Sequence, residues 1–198
     1  HALFYLAAFM TQSGLGTVVM SPSLVRLEWN DAASSATLIY ERARDHKPIV
    51  MQTIGWLIDI CHTVYDIDLK DGRVPIAVDA GGIGKSVCDT LEELGVNVIR
   101  CINNANPTGD RDRYANLRAE LYGEFSRRLS PEESPTPFAL PPDPLLVQEL
   151  CAHCKIVLAR GFRITPKDRY PGQKVEGHTI KEQLGRSPDR SDSACLLW

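Results

Sequence analysis

The sequence predicts an α/β fold with a mixed central sheet, helices on both faces of that sheet and an added β-hairpin. Three observations support this prediction. Apolar runs near the N-terminus alternate like antiparallel strands, and a strand, a helix and a strand follow in the middle of the chain. Residues 155–164 then show the alternation and central glycine of a hairpin. The middle strands, joined through a helix, are expected to pair in parallel.

The composition is typical of a globular chain with one hydrophobic core. Of 198 residues, 43% are hydrophobic and 24% are charged, so we expect a single domain over residues 1–198. No apolar run approaches the roughly 18 residues that a membrane-spanning helix needs. The net charge of −3 argues against the strongly basic surface of a dedicated nucleic-acid binder, although local arginines can still form a DNA-facing patch.

The cysteines are expected to be reduced, buried thiols, because a chain of this length needs no cross-links. They are Cys61, Cys88, Cys101, Cys151, Cys154 and Cys195. The Cys151-Ala152-His153-Cys154 segment has the spacing of half a zinc site, but no second CxxC or His pair lies at a suitable spacing. No thioredoxin-like strand precedes it, so a helix end with packed thiols is expected.

The N-terminal half is predicted as an antiparallel meander followed by a helix. The candidate strands cover residues 3–9, 17–20, 24–29 and 36–41. Gly14-Leu15-Gly16 is interpreted as the first turn. From Pro48 to about Tyr65, apolar residues recur at helical spacing, and proline is accepted in a first helical turn.

A short buried strand in the middle of the chain ends on Asp79 and opens into glycines. The helix over residues 85–94 is expected to stop at Gly95, and residues 96–102 form the next strand. Because Asp79 stands at the C-terminal end of a central strand, it can project into the crevice where open α/β sheets bind ligands.

The C-terminal half is predicted as helices over residues 113–129, 145–154 and 187–198 around the hairpin, with a proline-rich connection at 130–144. The first of these helices presents an inner face of Tyr114, Leu117, Leu121, Tyr122 and Phe125. Its arginines are expected to pair with Glu120 and Glu124 on the surface. They are Arg113, Arg118, Arg127 and Arg128.

Two carboxylates, Asp189 and Asp192, stand three residues apart after Pro188 at the start of the last predicted helix. This spacing aims both acids at one point, and a helix N-terminus favours a carboxylate through the helix dipole. Asp189 could instead cap the helix. Together with Asp79, the two acids suggest a carboxylate metal site, because Mg²⁺ and Mn²⁺ favour oxygen ligands.

The order of these elements resembles a ribonuclease H-like domain. Three segments in order, VDAGGIG at 78–84, YANLRAE at 114–120 and GRSPDRSDSA at 185–194, resemble the C-terminal nuclease domain of tailed-bacteriophage large terminase subunits. The resemblance covers residues 48–198, and the first 47 residues match by strand order alone. The ATPase half of such subunits is expected to be absent, since no GxxxxGK[ST] loop occurs.

This resemblance implies a metal-dependent endonuclease that cuts concatemeric viral DNA during genome packaging. The implied partners are double-stranded DNA, the terminase ATPase domain, the portal and the small terminase subunit, with no membrane. The implied location is the host bacterial cytoplasm, at the procapsid portal.

The implied catalytic metal ligands are Asp79, Asp189 and Asp192, which would hold two divalent cations, Mg²⁺ or Mn²⁺. Two such ions about 4 Å apart can supply a hydroxide and relieve charge on the scissile phosphate. Candidate DNA-binding residues are Arg160, Arg163, Lys167, Arg186 and Arg190, because phosphate contacts dominate DNA affinity. The hairpin that carries Arg160 and Arg163 is a candidate lever against the duplex.

The first acid of the family pattern is missing. It would fall near Ala7 or Ala8, with Ala8 the favoured position, and no acid precedes Glu28. An engineered Asp-to-Ala change, natural loss of catalysis, or service by Asp31 from another register would each explain this. A catalytically silent DNA-clamping or portal-docking module, or a resolvase or recombinase of the same fold, therefore remain alternatives to an active nuclease.

Overall fold

The computed structural model describes residues 5–11, 14–20, 50–82, 84–130, 132–133, 143–169, 175 and 177–196. They form a mixed α/β protein with parallel and antiparallel strand pairs and short helices, as predicted. The chain divides into two compact units, with the boundary after Ile102 for the described residues. None of the described helices is long and apolar enough to cross a membrane.

The first unit contains a four-stranded sheet in the order β2-β1-β3-β4. Its strands are β1 (Tyr5–Thr11), β2 (Gly14–Met20), β3 (Ile76–Asp79) and β4 (Val98–Cys101). β1 pairs antiparallel with β2 and parallel with β3, and β3 pairs parallel with β4. The described sheet thus contains one antiparallel strand pair and two parallel pairs.

The predicted turn at Gly14-Leu15-Gly16 is wrong, because all three residues lie in β2. The backbone pairing of β1 and β2 continues to Thr11 and Gly14. The predicted strands at 24–29 and 36–41, together with Pro48 and Asp31, lie outside the described residues.

The core of the first unit forms between helix α1 (Val50–Tyr65), strand β3 and helix α2 (Gly84–Glu93). Leu57 and Cys61, two of the residues whose spacing predicted α1, are buried, and so is Ile54. They join one cluster with buried residues of β3 and α2, namely Ile76, Val78, Val87, Cys88 and Leu91. A 3₁₀ turn (Leu69–Asp71) links α1 to β3, and α2 ends before Gly95, whose φ of +83° suits glycine.

Helix α3 (Leu117–Leu129) is the first helix of the second unit. It begins four residues later than predicted, because Asn116 caps it by accepting a 2.9 Å hydrogen bond from the Ala119 amide. The residues before it pair with the hairpin instead: Phe162 donates to the Arg113 carbonyl, and Ala115 donates to the Phe162 carbonyl, both at 2.9 Å. The predicted inner-face residues are all buried.

Helix α4 (Pro144–Cys151) has Asp143 as N-cap and proline in its first turn. It ends three residues before the predicted end because Cys154 pairs with Thr165, whose amide donates to the Cys154 carbonyl at 3.0 Å. The chain then enters the predicted hairpin, formed by β5 (Lys155–Val157) and β6 (Phe162–Ile164) in antiparallel register.

Two short helices close the described chain. Helix α5 (Ile180–Leu184) was not predicted; Thr179 and Glu182 form its capping box and Gly185 ends it at a φ of +68°. Helix α6 (Asp189–Cys195) lies inside the predicted 187–198 helix.

The prediction of buried thiols holds for four of the six cysteines, but Cys151 and Cys154 are exposed. The reason is the orientation of α4, which buries Leu146 and Glu149 and leaves Cys151 on the outer side. The predicted packing of the Cys151–Cys154 thiols at a helix end is therefore wrong.

Candidate carboxylate site

The two acids of helix α6 are both buried, and Asp192 is only 8% exposed. Asp189 is the first residue of the helix, and the N-cap position belongs to Pro188, which makes no side-chain capping bond. Asp189 therefore does not occupy the N-cap position. A buried carboxylate needs partners of opposite charge or hydrogen-bond donors, and the second unit provides both for Asp192.

Arg118 and Tyr122 of helix α3 bind one oxygen of Asp192. The Tyr122 hydroxyl donates to Asp192 Oδ1 at 2.6 Å, and Arg118 Nη2 donates to the same atom at 3.3 Å. Residues four apart on a helix share a face, which brings both side chains to this point. Arg118 Nη1 also donates to the Thr165 carbonyl at 3.0 Å, so the buried guanidinium is held at two places.

Lys167 binds the other oxygen of Asp192. Its Nζ lies 2.8 Å from Asp192 Oδ2 and 3.8 Å from Asp189 Oδ1. Its side chain is 26% exposed, whereas that of Arg118 is 8% exposed. One ammonium thus lies against both acids from the more exposed side, while a guanidinium binds Asp192 from the interior.

These contacts decide the charge states in the site. Burial by itself raises the pKa of Asp192, but the charges of Arg118 and Lys167 and the hydrogen bonds from Lys167 and Tyr122 outweigh it and hold the pKa at about 2. Burial, reinforced by the Asp192 charge, raises the pKa of Tyr122 well above its ordinary value. At neutral pH Asp192 is therefore a carboxylate that accepts a hydrogen bond from a neutral phenol.

Glu149 of α4 binds the backbone of the first turn of helix α6. Its Oε2 accepts a 2.8 Å hydrogen bond from the Ser191 amide, one of the amides that a helix N-terminus leaves without an intrahelical partner. Glu149 is fully buried and forms an ion pair with Arg186. Burial raises the pKa of Glu149, although the Arg186 hydrogen bond opposes that rise.

His153 and Ser191 complete the buried surroundings of Asp192. Ser191 Oγ lies 2.9 Å from the Tyr122 hydroxyl and 3.4 Å from His153 Nε2. The His153 ring packs on the Tyr122 ring with a centroid distance of 4.3 Å. Burial first, and the nearby Arg118 charge second, lower the pKa of His153 to about 4. His153 is thus neutral at pH 7 and adds no third positive charge.

Asp79 ends strand β3 in the first unit, as predicted. Its Oδ1 accepts a 3.0 Å hydrogen bond from the Gly81 amide, so the carboxylate shapes the turn that follows the strand. A Cβ at Gly84 would lie 1.7 Å from the Asp79 carbonyl oxygen. The glycine at 84 therefore lets helix α2 begin in direct contact with the end of β3.

The register of β1 bears on the missing first acid. Ala7 pairs with Ala77, and Ala8 pairs with Val78. Because successive strand residues point to opposite faces, position 7 has the same parity as Asp79, and position 8 has the parity of Val78. Neither β1 nor β2 contains an acidic residue.

Most of the predicted DNA-binding residues have acidic partners within the second unit. Arg160 pairs with Asp112, Arg186 with Glu149 and Arg190 with Asp143, while Lys167 contacts the two acids of α6. Arg163 lies in β6, where its Nε is buried without a hydrogen-bond partner in the described part of the chain. The Arg160 side chain is 74% exposed at the hairpin end.

Arg118 was predicted to pair on the surface with Glu120 or Glu124, and this prediction is wrong. The buried Arg118 binds Asp192, while Glu120 accepts hydrogen bonds from the Thr108 and Gly109 amides at 2.6 and 2.7 Å. The burial of Arg118 could have been predicted from its position beside the apolar face that includes Leu121 and Tyr122. No local pattern indicated the role of Glu149.

The chemistry of the acid pair suits a hard cation. Asp189 and Asp192 offer carboxylate oxygens, the ligands that Mg²⁺ and Mn²⁺ favour. The Lys167 ammonium already lies against both, so a divalent ion held there would replace the lysine contacts. Among the described residues, no group of three or more His, Cys, Asp or Glu side chains could hold a metal ion.

Solved structures of phage terminase nuclease domains share the fold of this chain. A lysine-to-alanine mutant of the nuclease domain of the large terminase subunit gp2 of bacterial virus Sf6, solved with manganese, aligns with a TM-score of 0.54 at 14% identity, covering 98% of this chain and 88% of that one. The same mutant with manganese and β-thujaplicinol aligns with a TM-score of 0.54 at 14% identity, and the alignment covers 98% of this chain and 87% of that one. The large terminase nuclease of thermophilic phage G20c with bound magnesium aligns with a TM-score of 0.50 at 12% identity, and the alignment covers 99% of this chain and 80% of that one.

At the level of sequence, no protein-family model and no curated protein matches the chain. The structural matches cover nearly all of it. The resemblance inferred from three short sequence segments is thereby confirmed as a likeness of fold: this chain has the fold of the nuclease domains of phage large terminase subunits.

Proposed function

We propose that this chain is a metal-dependent DNA endonuclease of the ribonuclease H-like class that cuts concatemeric viral DNA during genome packaging. The observation that carries the proposal is the fold shared with terminase nuclease domains that were solved with manganese or magnesium. The position of Asp79 at a strand end and the two buried acids on one helix turn add support.

Asp79, Asp189 and Asp192 are the proposed ligands of two divalent cations, Mg²⁺ or Mn²⁺. When bound, such ions supply a hydroxide nucleophile at neutral pH and stabilise charge on the phosphate. Residues of the chain orient Asp192 and keep it charged. Tyr122 and Arg118 bind its Oδ1, and its low pKa keeps the carboxylate ionised. Lys167 compensates the charge of both acids and, on the more exposed side, is the contact that a cation would replace.

The proposed setting follows from the same likeness. The chain would act as a single nuclease domain over residues 1–198 on double-stranded DNA, beside a terminase ATPase domain, the portal and the small terminase subunit. Its place would be the host bacterial cytoplasm at the procapsid portal.

A catalytically silent DNA-clamping or portal-docking module is the second candidate. It is favoured by the lack of an acid in β1 and β2. It is also favoured by the side chains of Arg118 and Lys167, which already compensate the charge of Asp192. Such a module would bind DNA or the portal without cutting.

Nicking of supercoiled plasmid in Mn²⁺, Mg²⁺ or EDTA separates the two candidates. We expect the chain to nick DNA with either metal and not with EDTA, and the Asp79→Asn and Asp192→Asn variants to lose this activity. Asp59→Asn, on the exposed side of α1, is the matched control and should cut normally. DNA binding without nicking in any metal would overturn the nuclease proposal and support the silent module.

Restoring an acid in β1 tests the missing first ligand. The register supports position 7, because position 8 has the parity of Val78, which is buried in the core. We therefore expect Ala7→Asp to increase metal-dependent nicking and Ala8→Asp to leave it unchanged. Increased nicking in Ala8→Asp alone would reverse this assignment.

A further inference from the structure

The Cys151-Ala152-His153-Cys154 segment takes no part in the proposed reaction. Cys151 and Cys154 are free and exposed, whereas the other four cysteines are buried. Helical hydrogen bonding continues past Cys151, since Ala152 donates to the Gln148 carbonyl at 3.1 Å and His153 to the Leu150 carbonyl at 3.4 Å. Cys151 is the last residue of α4, and Cys154 follows three residues later, just beyond the turn that these two bonds close.

We propose that Cys151 and Cys154 form a dithiol site that closes to an intramolecular disulfide when a low-molecular-weight disulfide, such as oxidised glutathione, acts as the oxidant. One cysteine thiolate attacks a sulfur of the oxidant, which forms a mixed disulfide and releases one small thiol. The second cysteine thiolate attacks the protein sulfur of that mixed disulfide and releases the second small thiol. Two electrons pass from the cysteine sulfurs to the oxidant, and its two leaving thiolates take up the two protons.

The four buried cysteines are poor competitors in this reaction. Burial raises the pKa of Cys61 to about 12 and that of Cys101 to about 11, and it raises the pKa of Cys195 well above its ordinary value. Because the thiolate is the nucleophile and the oxidant must reach it, these thiols react slowly in the folded protein. The exposed pair is open to the oxidant.

Closing the disulfide requires the Cβ atoms of Cys151 and Cys154 to move to roughly 3.5–4.5 Å from each other. Thr165 resists this movement, because its Oγ1 accepts from the Cys154 amide at 2.9 Å and its amide donates to the Cys154 carbonyl at 3.0 Å. The disulfide is thus exposed and opposed by its surroundings, which are the conditions for an easily reduced, regulatory bond.

A movement of residues 151–154 also reaches the carboxylate site. Thr165 accepts the Arg118 hydrogen bond through its carbonyl, and His153 packs on Tyr122, so both residues that hold Asp192 Oδ1 have a neighbour tied to this turn. Oxidation should loosen the contacts of residues 153–167 and leave the first unit unaffected. The inference does not depend on DNA cleavage.

Incubation of the folded chain with oxidised glutathione, followed by acid quenching and intact-mass measurement, tests the site. We expect the loss of two hydrogen atoms without an adduct, a cross-link between Cys151 and Cys154 in the peptide map, and full reversal by excess reduced glutathione. Cys151→Ser and Cys154→Ser should each trap one glutathione, and Cys101→Ala, which removes a buried thiol, should behave like the parent. Two glutathione adducts on the parent chain, or no reaction in the folded state, would overturn the proposal.

Amide hydrogen exchange of the reduced and oxidised chains measures the link to the carboxylate site. We expect the Cys154 and Thr165 amides to exchange several-fold faster after oxidation, with helix α2 as the unchanged internal reference. Identical exchange in both forms, with the cross-link present, would remove the link and leave an isolated surface disulfide.

Discussion

Asp192 has two positively charged partners that differ in depth and in anchoring. Arg118 is buried and also bound to the Thr165 carbonyl, whereas Lys167 is partly exposed. Removing one partner of a buried ion pair leaves an uncompensated charge, while a pair near solvent contributes little. We therefore expect Arg118→Met to lower the free energy of unfolding by about 3 kcal/mol and Lys167→Met by about 1 kcal/mol, as measured in urea at pH 7.

Arg127→Met is the matched control for this comparison, because Arg127 pairs with Glu124 on the same helix but at the surface. Its loss should be no more than about 0.5 kcal/mol. Equal losses for Arg118→Met and Lys167→Met would contradict the difference in depth on which the prediction rests.

His153 makes the stability of the chain depend on pH in a defined window. Its pKa falls from the ordinary 6.5 to about 4 in the folded protein, mainly through burial. Between these values the unfolded chain binds the proton and the folded chain does not, so the free energy of unfolding falls as the pH drops from 6.5 to 4. We expect this group to account for a loss on the order of 2 kcal/mol.

The measurement is urea unfolding at pH 7 and pH 4.5 for the parent chain, His153→Gln and His62→Gln. His62 is exposed on α1 and serves as the control. The drop in stability should be smaller in His153→Gln than in the other two proteins. A drop of the same size in all three would show that His153 is not the responsible group.

At the scale of secondary-structure elements, the junction of β3 and α2 depends on a glycine that has no room for a side chain. A Cβ at Gly84 would overlap the Asp79 carbonyl oxygen at 1.7 Å, whereas a Cβ at Gly55 in α1 would meet nothing within 4 Å. We expect Gly84→Ala to destabilise the chain by about 3 kcal/mol, because backbone would have to move. Gly55→Ala should stabilise it by up to about 1 kcal/mol through helix propensity.

Thermal and urea unfolding of the two variants check this contrast. They make the same chemical change in two helices of one unit, so a general effect of alanine would act on both alike. A Gly84→Ala variant as stable as the parent would mean that the close approach of helix α2 to Asp79 does not exist.

The elements also show where local patterns were sufficient. Apolar spacing located α1, and alternation with a central glycine located the hairpin. The start of α3 was misplaced because Tyr114 fits the helical pattern but forms a bridge to Phe162. No local pattern reports that the backbone around Tyr114 finds its partners in a strand that follows some fifty residues later along the chain.

For the whole molecule, a net charge of −3 and the internal pairing of its arginines predict weak, salt-sensitive DNA binding through few contacts. If the hairpin touches phosphates, replacing Arg160 and Arg163 by alanine removes up to two contacts. The slope of log affinity against log salt concentration should then become smaller in magnitude by up to about 2.

Arg73→Ala is the matched control, since Arg73 is exposed and paired with a nearby aspartate, as Arg160 is. Its affinity and slope should equal those of the parent in fluorescence-anisotropy titrations with duplex DNA. An unchanged slope in the Arg160→Ala/Arg163→Ala variant would exclude the hairpin as a DNA contact.

The α/β class, most elements, the strand end at Asp79 and the two acids three residues apart could all be predicted from the order of the residues. These features follow from periodicity, turn residues and short spacings, which act between neighbours in the chain. The contacts of Asp192 with Arg118, Tyr122 and Lys167, which lie 74, 70 and 25 residues away along the chain, arise from the packing of the folded protein. Such partners are chosen by how packed elements expose or bury a charge, and that choice is made when the chain folds.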